Sequence, residues 1–127
     1  MIGGRVLDTS ALLAFARGTS IYASAAVWTA VEESIVLVVP STAVAAAWAE
    51  LADEHRPVLD VLLRLPITVI DALNESRARA VGQLGGPQTD AHAIACAQER
   101  GWPLLTAHPD QYTPYQQVGG VDLEVLP

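Results

Sequence analysis

The chain contains no lysine. Arginine supplies all seven strong positive charges against fourteen aspartates and glutamates, and the formal net charge is -7. Phosphates and anionic lipids are bound mainly by Lys and Arg, so this composition argues against non-specific binding to nucleic acid or to an acidic membrane. It does not exclude a nuclease, because a bound metal ion can invert the local field. It does exclude a phosphoacceptor receiver domain, which needs a lysine near the phosphate.

Cysteine and long apolar runs are also scarce. Cys96 is the single cysteine, so an internal disulfide is impossible, and its Ala-rich helical surroundings predict a buried, unreactive thiol. The longest weakly polar run, residues 21–31, is too short to span a bilayer and ends at two glutamates. No signal peptide is visible, because Asp8 interrupts the N-terminal region. We therefore expect a cytoplasmic protein without a membrane partner.

Two catalytic motifs of other α/β proteins are missing. Gly3 and Gly4 precede the first predicted strand instead of following it, so a nucleotide-binding glycine loop is absent. The run Asp8-Thr9-Ser10 lacks the second aspartate that a haloacid-dehalogenase-type phosphatase requires. A nucleotide-binding protein with a glycine loop and a phosphatase of this type are therefore both disfavoured.

The chain does have a regular alternation of strand-like and helix-like segments over its 127 residues, of which 51% are hydrophobic. Strands are predicted at residues 5–7, 35–39, 67–70 and 103–106, with a fifth at 123–126. Predicted helices between them end near residues 17, 33, 55, 64, 84 and 100, and residues 108–120 are predicted as a polar loop. Parallel strands need helical crossovers, so we predict a single α/β domain over residues 1–127, with a parallel sheet of four or five strands flanked by helices.

Polar residues stand where these segments begin or end. Asp8 follows the first strand, Asp90 opens the helix before the fourth strand, and His108 follows the fourth. Sites of open α/β sheets lie beyond the carboxyl ends of the strands. Clustered aspartates suit Mg²⁺ or Mn²⁺, which can activate water against a phosphodiester. Each aspartate has a simpler alternative role, because Asp is also a good helix cap.

Three motifs together resemble a known family: Asp8-Thr9-Ser10-Ala11-Leu12, Asp90-Ala91-His92-Ala93 and Leu104-Leu105-Thr106-Ala107. Their order and spacing are similar to those of PIN-domain proteins, especially the small toxin ribonucleases of the VapC kind. The resemblance covers essentially the whole chain. It implies a three-layer sandwich around a five-stranded parallel sheet, with three or four acids around Mg²⁺ or Mn²⁺. It also implies metal-dependent hydrolysis of RNA, a homodimer and a cognate antitoxin.

The resemblance implies that Asp8 and Asp90 are catalytic metal ligands, supported by Thr106 and Ser10. Relatives carry Thr-x-Asp where this chain has Thr106-Ala107-His108, so a histidine replaces an acid. His108 is either a borderline ligand that shifts the preference toward Mn²⁺ or Zn²⁺, or a surface residue.

Two further acids are candidates for the catalytic set. Asp110 matches a secondary acid that many relatives have after the same strand. The glutamate position of the family falls on Ala46 or Ala47, and Glu50 is the nearest acid. Glu50 either completes the metal shell from one helical turn away or is a solvated helix residue.

Other polar and aromatic residues have simpler expected roles. His92 is expected to pack or to form hydrogen bonds, because it points away from Asp90 on a helix. Trp48 and Trp102 are expected in the core, while Tyr112 and Tyr115, in the late polar loop, are better candidates for stacking on RNA bases.

The sequence therefore favours two functions. The first is a metal-dependent endoribonuclease with an atypical acidic site, a VapC-like toxin of a toxin–antitoxin pair. The alternative is a catalytically degenerate PIN-fold protein that acts as a binding or regulatory module.

Overall fold

The computed structural model describes residues 3–117 and 119–127. Within them the chain forms a five-stranded, all-parallel sheet with strand order β3-β2-β1-β4-β5, flanked by six α-helices and one 3-10 helix. The predicted α/β class is confirmed. The strands are β1 Gly4–Leu7, β2 Val36–Pro40, β3 Thr68–Asp71, β4 Leu104–Thr106 and β5 Leu123–Val125. The helices are α1 Thr9–Arg17, α2 Ile21–Glu33, α3 Ser41–Glu50, α4 Arg56–Leu63, α5 Glu75–Leu84, α6 Gln88–Arg100 and the 3-10 helix Pro109–Tyr115.

The inner strands β1, β2 and β4 are buried on both faces, which explains their largely apolar sequences, whereas the edge strands β3 and β5 are partly exposed. One face packs against α1 to α4 through Leu7, Leu37, Val39 and Leu105. The other face packs against α5, α6 and the 3-10 helix through Val6, Val38 and Leu104. The result is the three-layer sandwich that the sequence predicts.

β1 lies at the centre of the sheet. Val6 pairs with Val38 of β2 on one side and with Leu104 of β4 on the other. The chain builds β2 and β3 outward from one side of β1 and then returns to place β4 on the other side. Such a reversal of strand order leaves a crevice at the carboxyl edge of an open α/β sheet. Residues that follow β1 and β4 therefore meet at this crevice.

Some helix boundaries differ from those expected. Asp71 is the last residue of β3, and α5 starts after Asn74, whose side chain caps it by accepting from the backbone N–H of Arg77. α6 begins at Gln88, so Asp90 lies in its first turn and is not its cap. α3 also differs from the prediction, because it ends at residue 50 where the backbone becomes extended.

The polar loop after β4 contains the 3-10 helix, and this corrects the expected role of its tyrosines. Tyr112 is 3% exposed and Tyr115 is 6% exposed, so neither offers a ring face to RNA. The expectation for Trp48 is wrong in the opposite sense, since it is 39% exposed with the guanidinium of Arg56 over its ring. Trp102 is half-buried against Gly4, where any side chain would collide with the indole ring.

Cys96 is fully buried in α6, as predicted. Burial, together with the negative charge of Asp71, raises its thiol pKa to about 12, so the thiol stays protonated. Over the described part of the chain, no helix combines the length and the apolar character needed to cross a bilayer.

Candidate active site

A cleft of about 490 Å³ opens where β1 and β4 end. Its walls come from α1, α3, the first turn of α6 and the segment after β4, so residues far apart in sequence face one space. The sequence-predicted residues that line it are Asp8, Ser10, Glu50, Asp90 and His108. The crevice predicted from the strand order is therefore an acidic cleft.

Asp8 both caps a helix and faces the cleft, so its two proposed roles are compatible. Its side chain is almost fully buried. Oδ1 accepts hydrogen bonds from the backbone N–H of Ala11 at 2.9 Å and from the hydroxyl of Ser10 at 2.7 Å. Oδ2 accepts the hydroxyl of Tyr112 at 2.7 Å. Every one of these donors is neutral, so the charge of Asp8 is solvated by the protein but not neutralised.

Ser10 and Thr106 connect the end of β4 to Asp8. Ser10 gives its only proton to Asp8, so the hydroxyl of Thr106, 3.2 Å away, must be the donor in the contact between them. Ser10 also accepts the backbone N–H of Ala107 at 2.8 Å, and Thr106 accepts that of His108 at 3.0 Å. This network holds the backbone after β4 against the start of α1.

Asp90 is the second carboxylate of the cleft. Burial and, after it, the negative charge of Asp8 raise its pKa above the ordinary value. Within residues 3–117 and 119–127, no side chain forms a hydrogen bond or an ion pair with Asp90. Two partly desolvated carboxylates without a neutralising cation match the ligand chemistry of Mg²⁺ or Mn²⁺. The donor set at this cleft therefore fits the metal that the sequence predicts.

The third acidic position of the cleft matches the resemblance less well than Asp8 and Asp90 do. Of the two positions at which the resemblance implies a glutamate, Ala46 lines the cleft, whereas Ala47 is buried in the core. Glu50 also lines the cleft, but its side chain is 58% exposed and lies 3.6 Å from the guanidinium of Arg17. The structure thus brings Glu50 to the cleft with a cationic partner already beside it.

The segment after β4 places one of its two predicted site residues in the cleft and leaves the other outside it. It also brings in a tyrosine that was not predicted there. His108 lines the cleft and is exposed. Asp110 is exposed in the first turn of the 3-10 helix and lies outside the cleft lining. Tyr112, which sequence reasoning did not connect with Asp8, lines the cleft. Its position one turn into the predicted loop carried no signal of this contact.

A second buried polar cluster surrounds Asp71, and sequence reasoning missed it. Arg77 donates to both carboxylate oxygens of Asp71, from Nε at 2.9 Å and from Nη2 at 3.1 Å. Nε2 of His92 lies 2.9 Å from Asp71, and Nδ1 lies 2.8 Å from the hydroxyl of Thr42. A neutral imidazole protonated at Nε2 satisfies both contacts. The hydrogen-bonding role expected for His92 is confirmed.

The ligating atoms of Asp71, His92 and Cys96 lie within 4.8 Å of one another, as in a metal site. Their surroundings argue against one. Both oxygens of Asp71 are taken by Arg77, and Nη2 of Arg100 lies 3.5 Å from the same carboxylate. A cation would have to displace these guanidinium groups and deprotonate a thiol of strongly raised pKa. We assign this cluster to stability.

No family model and no curated protein matches the sequence. Solved structures do match it. The fold is shared with a chain of a VapBC2 assembly. In the crystal structure of VapBC2 from Rickettsia felis bound to a DNA fragment from its promoter, the match has a TM-score of 0.68 and covers 98% of this chain and 99% of that chain. The sequence identity is 13%, so the likeness shows the fold and does not extend to the chemistry.

Proposed function

We propose that this protein is a metal-dependent endoribonuclease of the PIN type. The observation that supports the proposal is the pair Asp8 and Asp90. Both carboxylates line one cleft at the point where the strand order reverses, and the charge of one raises the pKa of the other. An uncompensated acidic pair in this position is what a divalent cation needs.

Asp8 and Asp90 would hold Mg²⁺ or Mn²⁺. Ser10 would orient Asp8 through its hydrogen bond, and Thr106 would in turn orient Ser10. Such an ion supplies an activated water and charge stabilisation at a phosphodiester. Glu50, which also lines the cleft, is proposed to complete the catalytic set, and His108 to occupy the place of the acid that the resemblance implies. A catalytic role for Asp110 stays a prediction, because its exposed position lies outside the cleft lining.

RNA is the proposed substrate, and Arg17 is the arginine that the cleft offers to its phosphates. We further propose a cytoplasmic VapC-like toxin that forms a homodimer and binds a cognate antitoxin. The shared fold with a VapBC2 chain supports this, as do apolar side chains that α2 exposes. Ile21 is 91% exposed and Trp28 is 67% exposed, which is typical of a protein-binding surface.

Cleavage of a structured RNA in Mn²⁺ tests the proposal. Asp8→Asn keeps the shape of the side chain and removes its charge, so it should lower the rate by about 100-fold or more, the scale for losing one charge-stabilising group. Asp53→Asn is the matched control, since Asp53 is an exposed aspartate paired with Arg56 away from the cleft. No cleavage by the wild type, or equal cleavage by wild type and Asp8→Asn, contradicts a ribonuclease.

The second candidate is a PIN-fold protein that binds without cutting. Ala46 and His108 favour it, because they remove two of the acids that the resemblance implies. Calorimetric titration with Mg²⁺ and Mn²⁺ distinguishes the candidates. Tight binding that disappears in Asp90→Asn argues against the degenerate protein, whereas absence of binding to the wild type supports it.

A further inference from the structure

Tyr112 reaches Asp8 across 104 positions of the sequence. Its hydroxyl donates to Oδ2 at 2.7 Å, and the residue is buried on the cleft wall. An ionised carboxylate has no proton to give, so the hydroxyl of Tyr112 is the donor in this contact.

Counting lone pairs shows what remains of Asp8 for a ligand. A carboxylate has about four acceptor positions, two on each oxygen. Both positions of Oδ1 are used, by the hydroxyl of Ser10 and the backbone N–H of Ala11. One position of Oδ2 is used by Tyr112, so a single position on Oδ2 is open. Asp8 can therefore bind a cation through Oδ2 alone, unless one of these hydrogen bonds breaks.

The 3-10 helix that carries Tyr112 is anchored at a second point. The hydroxyl of Tyr115 donates to the backbone carbonyl of Gly85 at 2.7 Å, and Gly85 precedes α6, whose first turn holds Asp90. The helix thus bridges the strand end at Asp8 and the loop leading to Asp90. Two hydrogen bonds, one from Tyr112 and one from Tyr115, therefore fix the position of the 3-10 helix.

We propose that Tyr112 is a positioning residue. Its hydrogen bond orients the carboxylate of Asp8 so that a divalent cation would be bound by Oδ2 alone. The inference rests on the proposed metal dependence of the cleft. It also explains how the cleft works with few acids. Because His108 and Ala46 contribute no negative charge, affinity depends on the preset orientation of Asp8. Hydrogen bonds to a ligating carboxylate are known to have this orienting effect on metal affinity.

The pair Tyr112→Phe and Tyr115→Phe tests this role. Each variant loses one buried hydroxyl from the same 3-10 helix, but only Tyr112→Phe loses a hydrogen bond to Asp8. We expect the two variants to lose similar amounts of melting temperature. Calorimetric titration of the full chain with Mn²⁺ should give unchanged affinity, within about twofold, for Tyr115→Phe and affinity weakened by about tenfold or more for Tyr112→Phe.

Equal affinities for the two variants, tighter binding by Tyr112→Phe or absence of Mn²⁺ binding to the wild type would overturn the inference. A crystal structure of the wild type with Mn²⁺ is an independent measurement that holds even if a variant does not fold. One coordinating oxygen of Asp8 is expected, and coordination by both contradicts the proposal. Cleavage assays in parallel separate the two proposals: a wild type that binds Mn²⁺ as predicted without cutting RNA contradicts only the ribonuclease.

Discussion

Two buried aspartates, Asp71 and Asp8, have their negative charges stabilised in different ways. Asp71 and Asp8 are both nearly inaccessible, and both follow or end a strand at the carboxyl edge of the sheet. Asp71 is neutralised from within, because Arg77 binds both of its oxygens. Asp8 receives only neutral donors, and its neighbour in the cleft is another carboxylate, Asp90.

The pKa values follow this difference. Burial alone raises the pKa of Asp71, but the hydrogen bond with His92 and the charge and hydrogen bonds of Arg77 outweigh it, so the net pKa is lowered. At Asp90, burial and the charge of Asp8 act in the same direction, and the pKa is raised. We therefore assign Asp71, which has its own cation, to the scaffold. Asp8 and Asp90, which lack one, are the carboxylates that we propose as a ligand set.

The largest predicted effect is a loss of stability on removing the carboxylate of Asp71. Asp71→Ala removes the carboxylate shared by fully buried His92 and partly buried Arg77, and leaves Arg77 only its ion pair with the exposed Glu99, so the free energy of unfolding should fall by about 3–5 kcal/mol. Urea denaturation measures it. Asp60→Ala is the control, since it removes an exposed i,i+4 partner of Arg64 and should change stability by less than about 1 kcal/mol. Similar losses for both variants would mean that the buried pairing contributes no more than a surface one.

The second prediction removes the charge of Asp8. Without metal, Asp8→Asn should change the free energy of unfolding by no more than about 1 kcal/mol, because Oδ1 keeps its two donors and the repulsion on Asp90 is relieved. With Mn²⁺ at about 100 times its dissociation constant, wild type should gain about 2.7 kcal/mol. Asp8→Asn should gain none. Thermal unfolding with Mn²⁺ and with chelator measures both, and an undiminished gain in Asp8→Asn would contradict the assignment of Asp8.

The third prediction adds an acid to the cleft. His108→Asp places a carboxylate where the resemblance to PIN-domain proteins implies one, and Mg²⁺ affinity should rise by roughly tenfold, or about 1.4 kcal/mol. Asp110→Asn removes an acid two residues further on but outside the cleft lining, so it should leave the affinity unchanged. Calorimetry on the two variants decides which of these positions faces the ion. An effect confined to Asp110→Asn would reverse our assignment.

The fourth prediction concerns the sign of the pH dependence of stability, measured by urea unfolding in chelator. Asp71 has a lowered folded-state pKa, so its contribution is present above the ordinary value of about 3.9 and is lost in stronger acid. Asp90 has a raised pKa, so its contribution is present in acid and is lost as pH rises. Asp71→Asn should therefore be less stable than wild type at pH 7, and Asp90→Asn more stable, with both differences shrinking toward pH 3. Matching signs at pH 7 would contradict the comparison.

Local signals predicted the fold well. The apolar β-branched run before Pro40 and the alternation of strands with capped helices were sufficient for a parallel sheet. Gly18 and Gly101 end α1 and α6 as predicted, because both adopt the left-handed conformation that glycine favours. Helix starts were less predictable. Asp71 and Asn74 are both good caps, and only the burial of Arg77 and His92 beside Asp71 decides between them.

The candidate site was predictable only in part, because some of its contacts depend on tertiary packing and not on local sequence. Asp8 and Asp90 stand at element boundaries, where strand order brings them to one cleft. The contact of Tyr112 with Asp8 depends on how a 3-10 helix folds inside a segment that has no periodic pattern, so no local signal reports it. The difference between Ala46 and Ala47 depends on helix phase, which spacing from Pro40 alone does not fix.

Two hydroxyls of the network around Asp8, those of Thr106 and Tyr112, come far after it in the chain, and this has a consequence for synthesis. Thr106 lies 96 positions after Ser10, and Tyr112 lies 104 positions after Asp8. A ribosome delivers the N-terminal part first, so β1 waits with one side unpaired until β4 has emerged. Ser10 and Ala11 donate to Oδ1 of Asp8 as soon as α1 forms, but Oδ2 has no partner until Tyr112 has been made. If the cleft cuts RNA as proposed, the growing polypeptide lacks the β4 side of that cleft until residues 104–112 have emerged.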